Sequence, residues 1–110
     1  MTIEFNTTFG KVSEKMIHEI RNEIINLSHF SKNITRAEVL LKEDKTIVPA
    51  ENKICEIRLT AYGENLFAHA RTENFKDSVK DALKDLKRMV KQQIKKIKEP
   101  SNQVISSVKV

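Results

Sequence analysis

Residues 53–72 read Lys53-Ile54-Cys55-Glu56-Ile57-Arg58-Leu59-Thr60-Ala61-Tyr62-Gly63-Glu64-Asn65-Leu66-Phe67-Ala68-His69-Ala70-Arg71-Thr72, and the fold turns on them. From Lys53 to Tyr62, Cys55, Ile57, Leu59 and Ala61 share one face while Glu56, Arg58 and Thr60 share the other. That period of two is the mark of a strand with one buried face. Tyr62-Gly63-Glu64-Asn65 predicts a hairpin turn around the glycine. Leu66, Ala68 and Ala70 then form the buried side of the next strand, and Phe67, His69 and Arg71 face the other way.

Upstream, Glu43–Asn52 is a polar loop containing Pro49. From Ile34 to Lys42, Ala37, Val39 and Leu41 alternate with Arg36, Glu38 and Lys42, which predicts another strand. Ser13 is an N-cap residue for a helix reaching about Ser28, with Gly10 just before it. Met16, Ile17, Ile20, Ile24 and Leu27 have the spacing of one helical face. Ile3 and Phe5 alternate with Glu4 and Asn6 as a short strand. Downstream, a helix runs from about Asn74 to Lys98, Pro100 ends it, and residues 99–110 form a flexible polar tail. The order is β-α-β-β-β-α over residues 1–98. Strands joined through a helix run parallel with a right-handed crossover, and the later short connections suit antiparallel pairing. One apolar stripe per helix and one apolar face per strand predict an α+β, two-layer domain. It is a four-stranded mixed sheet with both helices packed on the same face.

The chain has 110 residues, 39% of them hydrophobic, enough for one domain with a modest core. Charged residues make up 32%, with a formal net charge of +5, which favours polyanionic partners. A single cysteine excludes an internal disulfide and suits a reducing compartment. The N-terminus Met1-Thr2-Ile3-Glu4-Phe5-Asn6 lacks the basic and apolar regions of a signal peptide. No apolar run approaches the ~20 residues that span a bilayer. The expectation is a soluble, cytoplasmic protein with no membrane partner.

The last helix concentrates the charge. From Asn74 to Lys98 it holds nine basic and three acidic residues, leaving eleven basic and twelve acidic in the rest of the chain. At about 100° per residue, Lys76, Lys80, Lys84, Lys87, Arg88, Lys91, Lys95 and Lys98 fall within roughly 120°. Phe75, Val79, Ala82, Leu83, Leu86, Val90 and Ile97 form a separate apolar stripe. Asp77, Asp81 and Asp85 make a short acidic stripe that stops halfway. A solvated helix face with Asp/Lys pairs accounts for a few of these cations. The excess is too one-sided for that alone, and a nucleic-acid partner explains it better. Lysine and arginine contacts to phosphate position a protein without reading sequence, so RNA shape would supply the specificity.

Other chemistries lack their residues. His18, His29 and His69 lie on separate elements without metal-ligand spacing. Cys55 belongs to the inward face of its strand and reads as core. Two glycines cannot form a glycine-rich phosphate loop, and no nucleophile–base set is visible. No enzyme, cofactor, metal or small-molecule substrate is expected. The strands lack the exposed aromatic pairs of a base-stacking sheet, and Phe67 reads as a packed edge residue.

Leu66-Phe67-Ala68-His69-Ala70-Arg71-Thr72-Glu73-Asn74-Phe75 resembles the alanine-alternating last strand, acidic turn and aromatic-led helix of one family. These are the ribosome hibernation promoting factors, also called ribosome-associated inhibitor or sigma-54 modulation proteins. Ala82-Leu83-Lys84-Asp85-Leu86-Lys87-Arg88-Met89-Val90-Lys91 is similar to its leucine-and-basic helix, and Val12-Ser13 to the junction before its first helix. The resemblance covers residues 1 to about 98. It implies a βαβββα fold related in shape to double-stranded RNA-binding domains. It also implies binding to the small ribosomal subunit, in the channel of messenger and transfer RNA, so that translation is blocked. By position, Lys84, Lys87, Arg88 and Lys91 map onto the family's contact helix for ribosomal RNA, with Lys80 and Lys95 as neighbours. The chain departs from the family where Asp85 replaces a basic residue and Lys84 carries it instead. It departs again where Glu23 and Asn26 replace basic residues of the first helix, with Arg21 as the compensating cation. The length fits a short form, expected to be a monomer off the ribosome. The rivals are a general double-stranded RNA-binding module and a protein-interaction module using Arg36, Glu38, Arg58 and Arg71 on the open sheet face.

Overall fold

A computed structural model describes residues 1–7, 12–31 and 33–98. The elements among the described residues are β1 (Thr2–Thr7), α1 (Glu14–Phe30), β2 (Ile34–Glu43), β3 (Lys53–Ala61), β4 (Glu64–Thr72) and α2 (Phe75–Lys98), with a 3-10 turn at Pro49–Glu51. Gly10 and the expected 99–110 tail lie outside the described residues.

Local chemistry starts each helix. The Ser13 hydroxyl accepts from the Met16 amide at 3.1 Å and Glu14 occupies the first turn, satisfying one orphan donor and meeting the positive helix end. The four strands lie in the order β1-β2-β3-β4, with β1 parallel to β2 and the other pairs antiparallel. Register aligns the apolar rows: Ile3 with Ala37, Phe5 with Val39, Val39 with Ile57, Ile57 with Ala68. Ile20, Ile24 and Leu27 of α1 and Val79, Ala82, Leu83, Leu86 and Val90 of α2 join these rows in one buried cluster. Both helices therefore cover the same face, and the other face stays mostly open. At ~1.5–3 kcal/mol for each fully buried aliphatic side chain, this cluster is the main source of stability.

The structure moves some boundaries. The hairpin turn is two residues, Tyr62 and Gly63, because both hold positive φ, 56° and 74°. That is the twist-matched geometry of a tight hairpin, and Glu64 and Asn65 pair within the ladder instead of forming the turn. Tyr62 is an unusual occupant of that region; its amide donates to the Asn33 carbonyl at 3.3 Å, tying the turn to the start of β2. The first helix continues two residues past Ser28, to Phe30. Ile54 alternates toward the open face yet is 2% exposed and outside the main cluster. The 3-10 turn of the 44–52 loop lies against both β3 and β4.

Candidate nucleic-acid interface

Two polar latches fix the roll of α2 about its axis. At its N-terminus, Asn74 Oδ1 accepts the Asp77 amide at 2.8 Å. One turn on, the fully buried Ser78 hydroxyl donates to the Lys53 carbonyl at 2.6 Å and lies 2.7 Å from the Thr72 hydroxyl. Near the other end, buried Gln93 donates from Nε2 to the Ala61 carbonyl at 3.1 Å and lies 3.3 Å from Glu64 Oε2. Ser78 thus holds the helix to the first residue of β3 and Gln93 to the last. Buried polar groups are costly unless paired, so these bonds favour one rotational setting of the helix.

With that roll set, the stripes face as the helical pattern predicts. Val79, Ala82, Leu83, Leu86 and Val90 are buried and Phe75 is partly so. Ile94, which the predicted stripe lacked, also packs partly buried against the cluster. Lys76, Lys80, Lys84, Lys87, Arg88, Lys91 and Lys95 are all exposed. Among the described residues Lys80, Lys84, Lys91 and Lys95 have no ion-pair partner, whereas Lys87 and Arg88 do. Lys80 to Lys95 spans about 22 Å of helix axis. Residues one helical turn apart have Cβ atoms about 5–6 Å apart, inside the Debye length of about 8 Å at physiological salt, so like charges so spaced repel one another. A polyanion laid along the row relieves that repulsion.

The row also borders a groove of about 510 Å³ between α1 and α2. Lys76, Lys80, Lys84 and Lys87 line one side, Glu19 and Glu23 the other, over an apolar floor that includes Met16, Ile20, Val79 and Leu83. Lys87 Nζ reaches across to Glu23 Oε2 at 2.8 Å. Arg88 lies 3.6 Å from Asp85, one turn back on its own helix. Arg21 does not join the lysines: its guanidinium stacks 5.2 Å above the Phe5 ring on β1, and it is not among the groove-lining residues. The structure therefore gathers Lys80, Lys84, Lys87, Arg88, Lys91 and Lys95 on one helix and leaves Arg21 on the other flank of α1. Sequence reasoning missed Ser78 and Gln93, which position the row. The available signal was two polar residues on the sheet-facing side of an otherwise apolar stripe.

The open sheet face has the opposite electrostatics. Arg36 lies 2.9 Å from both Glu4 and Glu38, and Arg58 lies 3.6 Å from Glu38. Cys55 is buried on the helix-covered side, where desolvation, aided by Glu56, pushes its thiol up to about 12. Such a thiol is a core side chain rather than a nucleophile. Among the described residues no group of His, Cys, Asp or Glu is placed to hold a metal ion, and no helix is long and apolar enough to cross a membrane.

Residues 3–98 match the sequence profile of the family described as Sigma 54 modulation protein / S30EA ribosomal protein. The fold is similar to that of a ribosomal subunit interface protein from Coxiella burnetii, with TM-score 0.70, 13% identity, and coverage of 84% of this chain and 97% of that one. It is also similar to the N-terminal domain of Thermus thermophilus Protein Y, with TM-score 0.68, 14% identity, and coverage of 84% and 98%. No curated sequence relative matches the chain. At such low identities the two structural likenesses speak to the fold alone.

Proposed function

The chain belongs to the Sigma 54 modulation protein / S30EA ribosomal protein family, and on that premise we propose that it is a ribosome-associated modulator that silences translation by steric occlusion. α2 lies against the ribosomal RNA of the small subunit, and the body of the domain fills the channel that messenger and transfer RNA otherwise use. The observation that carries this reading is the row of exposed lysines, Lys80, Lys84, Lys91 and Lys95, without ion-pair partners among the described residues and held outward by the Ser78 and Gln93 latches. A protein of similar fold, named a ribosomal subunit interface protein, points the same way.

The mechanism needs no bond to form or break and no cofactor. Each lysine that neutralises a phosphate releases counterions, which supplies affinity and makes it fall with salt. The rigid helix and the shape of folded RNA supply the site. The protein acts in the cytoplasm, where ribosomes are, and binds as a monomer.

Co-sedimentation with small ribosomal subunits at two salt concentrations tests the proposal. The parent chain pellets with the subunits, less so at the higher salt, and transfer RNA displaces it. The combined variant Lys84→Glu, Lys87→Glu, Arg88→Glu, Lys91→Glu stays in the supernatant while keeping the parent's circular dichroism. Pelleting of that variant at parental levels would falsify the site, and equal competition by arbitrary duplex RNA would sink the ribosomal specificity.

A further inference from the structure

We propose that the open sheet face carries a second RNA contact, in which an unpaired base stacks on the ring of Phe67. It uses a different surface from α2 and does not depend on α2 reaching the small subunit.

The face as a whole is a poor polyanion site, since Glu4, Arg36, Glu38 and Arg58 largely neutralise one another. Around β4 its character changes. Phe67 stands 45% exposed, so it is not the packed edge residue that its position suggests. The His69 ring lies nearly parallel to it, with centroids 6.3 Å apart and planes 19° from parallel. The two rings form the stacked pair that the sequence hides, because one member is an imidazole. Arg58 places its guanidinium 5.8 Å from the Phe67 centroid. Arg71 donates from Nε to His69 Nε2 at 3.1 Å, and its terminal nitrogens have no ion pair among the described residues. Two rings, one guanidinium over the Phe67 ring and a second bonded to His69 are the elements that hold unpaired nucleotides: a π-face for the base and a cation for its phosphate.

The surroundings select this occupant over an apolar protein segment. Protein-docking patches offer several hundred Å² of contiguous apolar surface, whereas Phe67 is bordered by Arg58, Asn65 and His69. Beside the ring is a shallow depression of about 200 Å³ lined by Asn6, Glu38, Val39, Leu40, Glu56, Arg58 and Phe67. It is smaller than the ~300 Å³ at which drug-sized sites begin, and suits one planar group. Glu56, in register with His69, repels phosphate from the depression, so the base lies over the ring and the backbone runs on the Arg71 side.

The test is titration of the full chain into a short single-stranded RNA bearing one fluorescent adenine analogue, at low salt and at about 1 M salt, where the Debye length is ~3 Å. Stacking quenches the fluorophore, and the quench persists at high salt. Phe67→Ala weakens high-salt binding roughly fivefold to a hundredfold, the range for one base–aromatic stack, and Phe67→Leu does the same, while Phe67→Tyr stays within about twofold of the parent. The charge-reversed α2 variant keeps the high-salt quench, which separates this contact from the ribosomal one. Unchanged binding by Phe67→Ala would overturn the proposal. So would full binding by Phe67→Leu, since the ring would then be an apolar contact of the kind a protein partner uses.

Discussion

Arg36 on the open sheet face lies 2.9 Å from each of two carboxylates, Glu4 and Glu38; Lys84, on the outward side of α2, forms no ion pair among the described residues. Both side chains are exposed cations on regular elements. What differs is the arrangement of nearby acids. In the sheet, register sets Glu38 opposite Arg58 on one side and beside Glu4 on the other, and Arg36, two residues from Glu38 on the same strand, reaches both carboxylates, so cations and acids interleave across three strands. On α2, Asp77, Asp81 and Asp85 follow one another down a stripe of their own and stop before the last three turns. Charge satisfied within the fold stabilises the fold weakly; charge left over is available to a partner. A count of lysines and arginines does not distinguish the two, and their neighbours do.

Reversing four cations of α2 is the strongest way to break that contrast. With Lys84, Lys87, Arg88 and Lys91 all changed to Glu, affinity for small subunits should fall about a thousandfold or more, and the slope of log affinity on log salt should flatten by about three. Arg36→Ala should leave affinity within about twofold, because a paired exposed cation contributes little; a loss like that of the α2 variant would mean that the sheet face is the docking surface. Leu86→Ala, beneath the row in the fully buried seam, should cost about 2–5 kcal/mol in denaturant unfolding, with ribosome binding unchanged in the fraction still folded. Ser78→Ala should cost about 0.5–1.5 kcal/mol by the same measurement, since it removes the buried hydroxyl that donates to the Lys53 carbonyl. A cost below ~0.5 kcal/mol would show that apolar packing alone sets the roll of α2.

The fold was legible because its signals are local and repeat. Cys55-Glu56-Ile57-Arg58-Leu59 states its period within five residues, and the β3–β4 register preserves it across the turn. The basic row was legible for the same reason, being a property of one helix. Features that depend on contact between distant segments were not. Nothing near Ser78 or Gln93 reveals that each will meet a β3 carbonyl, 25 and 32 residues away in sequence. The burial of Ile54, at a position that alternates toward the open face, is not written in the period of β3. Arg21 was assigned by its charge, but its position on α1 turns it over Phe5 and away from α2. The Phe67–His69 pair is hidden in the sequence because its second ring is an imidazole, which the pattern of alternating Phe, Tyr and Trp does not include.

The subtlest test sits where the two electrostatic regimes meet, at the 2.8 Å contact between Lys87 and Glu23. Here a cation of the row has been given a carboxylate, by the other helix. The Lys87 and Glu23 side chains are 45% and 40% exposed, so solvent screens the pair and its contribution to stability is at most ~1 kcal/mol. Glu23→Gln removes the charge and nearly keeps the shape. It should lower stability by no more than that amount and raise affinity for small subunits about twofold to fivefold, with a slightly steeper salt dependence. The two effects have opposite signs, so general unfolding cannot mimic the result. In a Lys87→Ala background the affinity gain should vanish, because the pair is then absent and the two changes no longer couple. If Glu23→Gln instead weakens binding, Glu23 holds Lys87 in its working position and belongs to the interface. If the gain survives without Lys87, the carboxylate was acting on the whole row, through the groove, and not on one ammonium group.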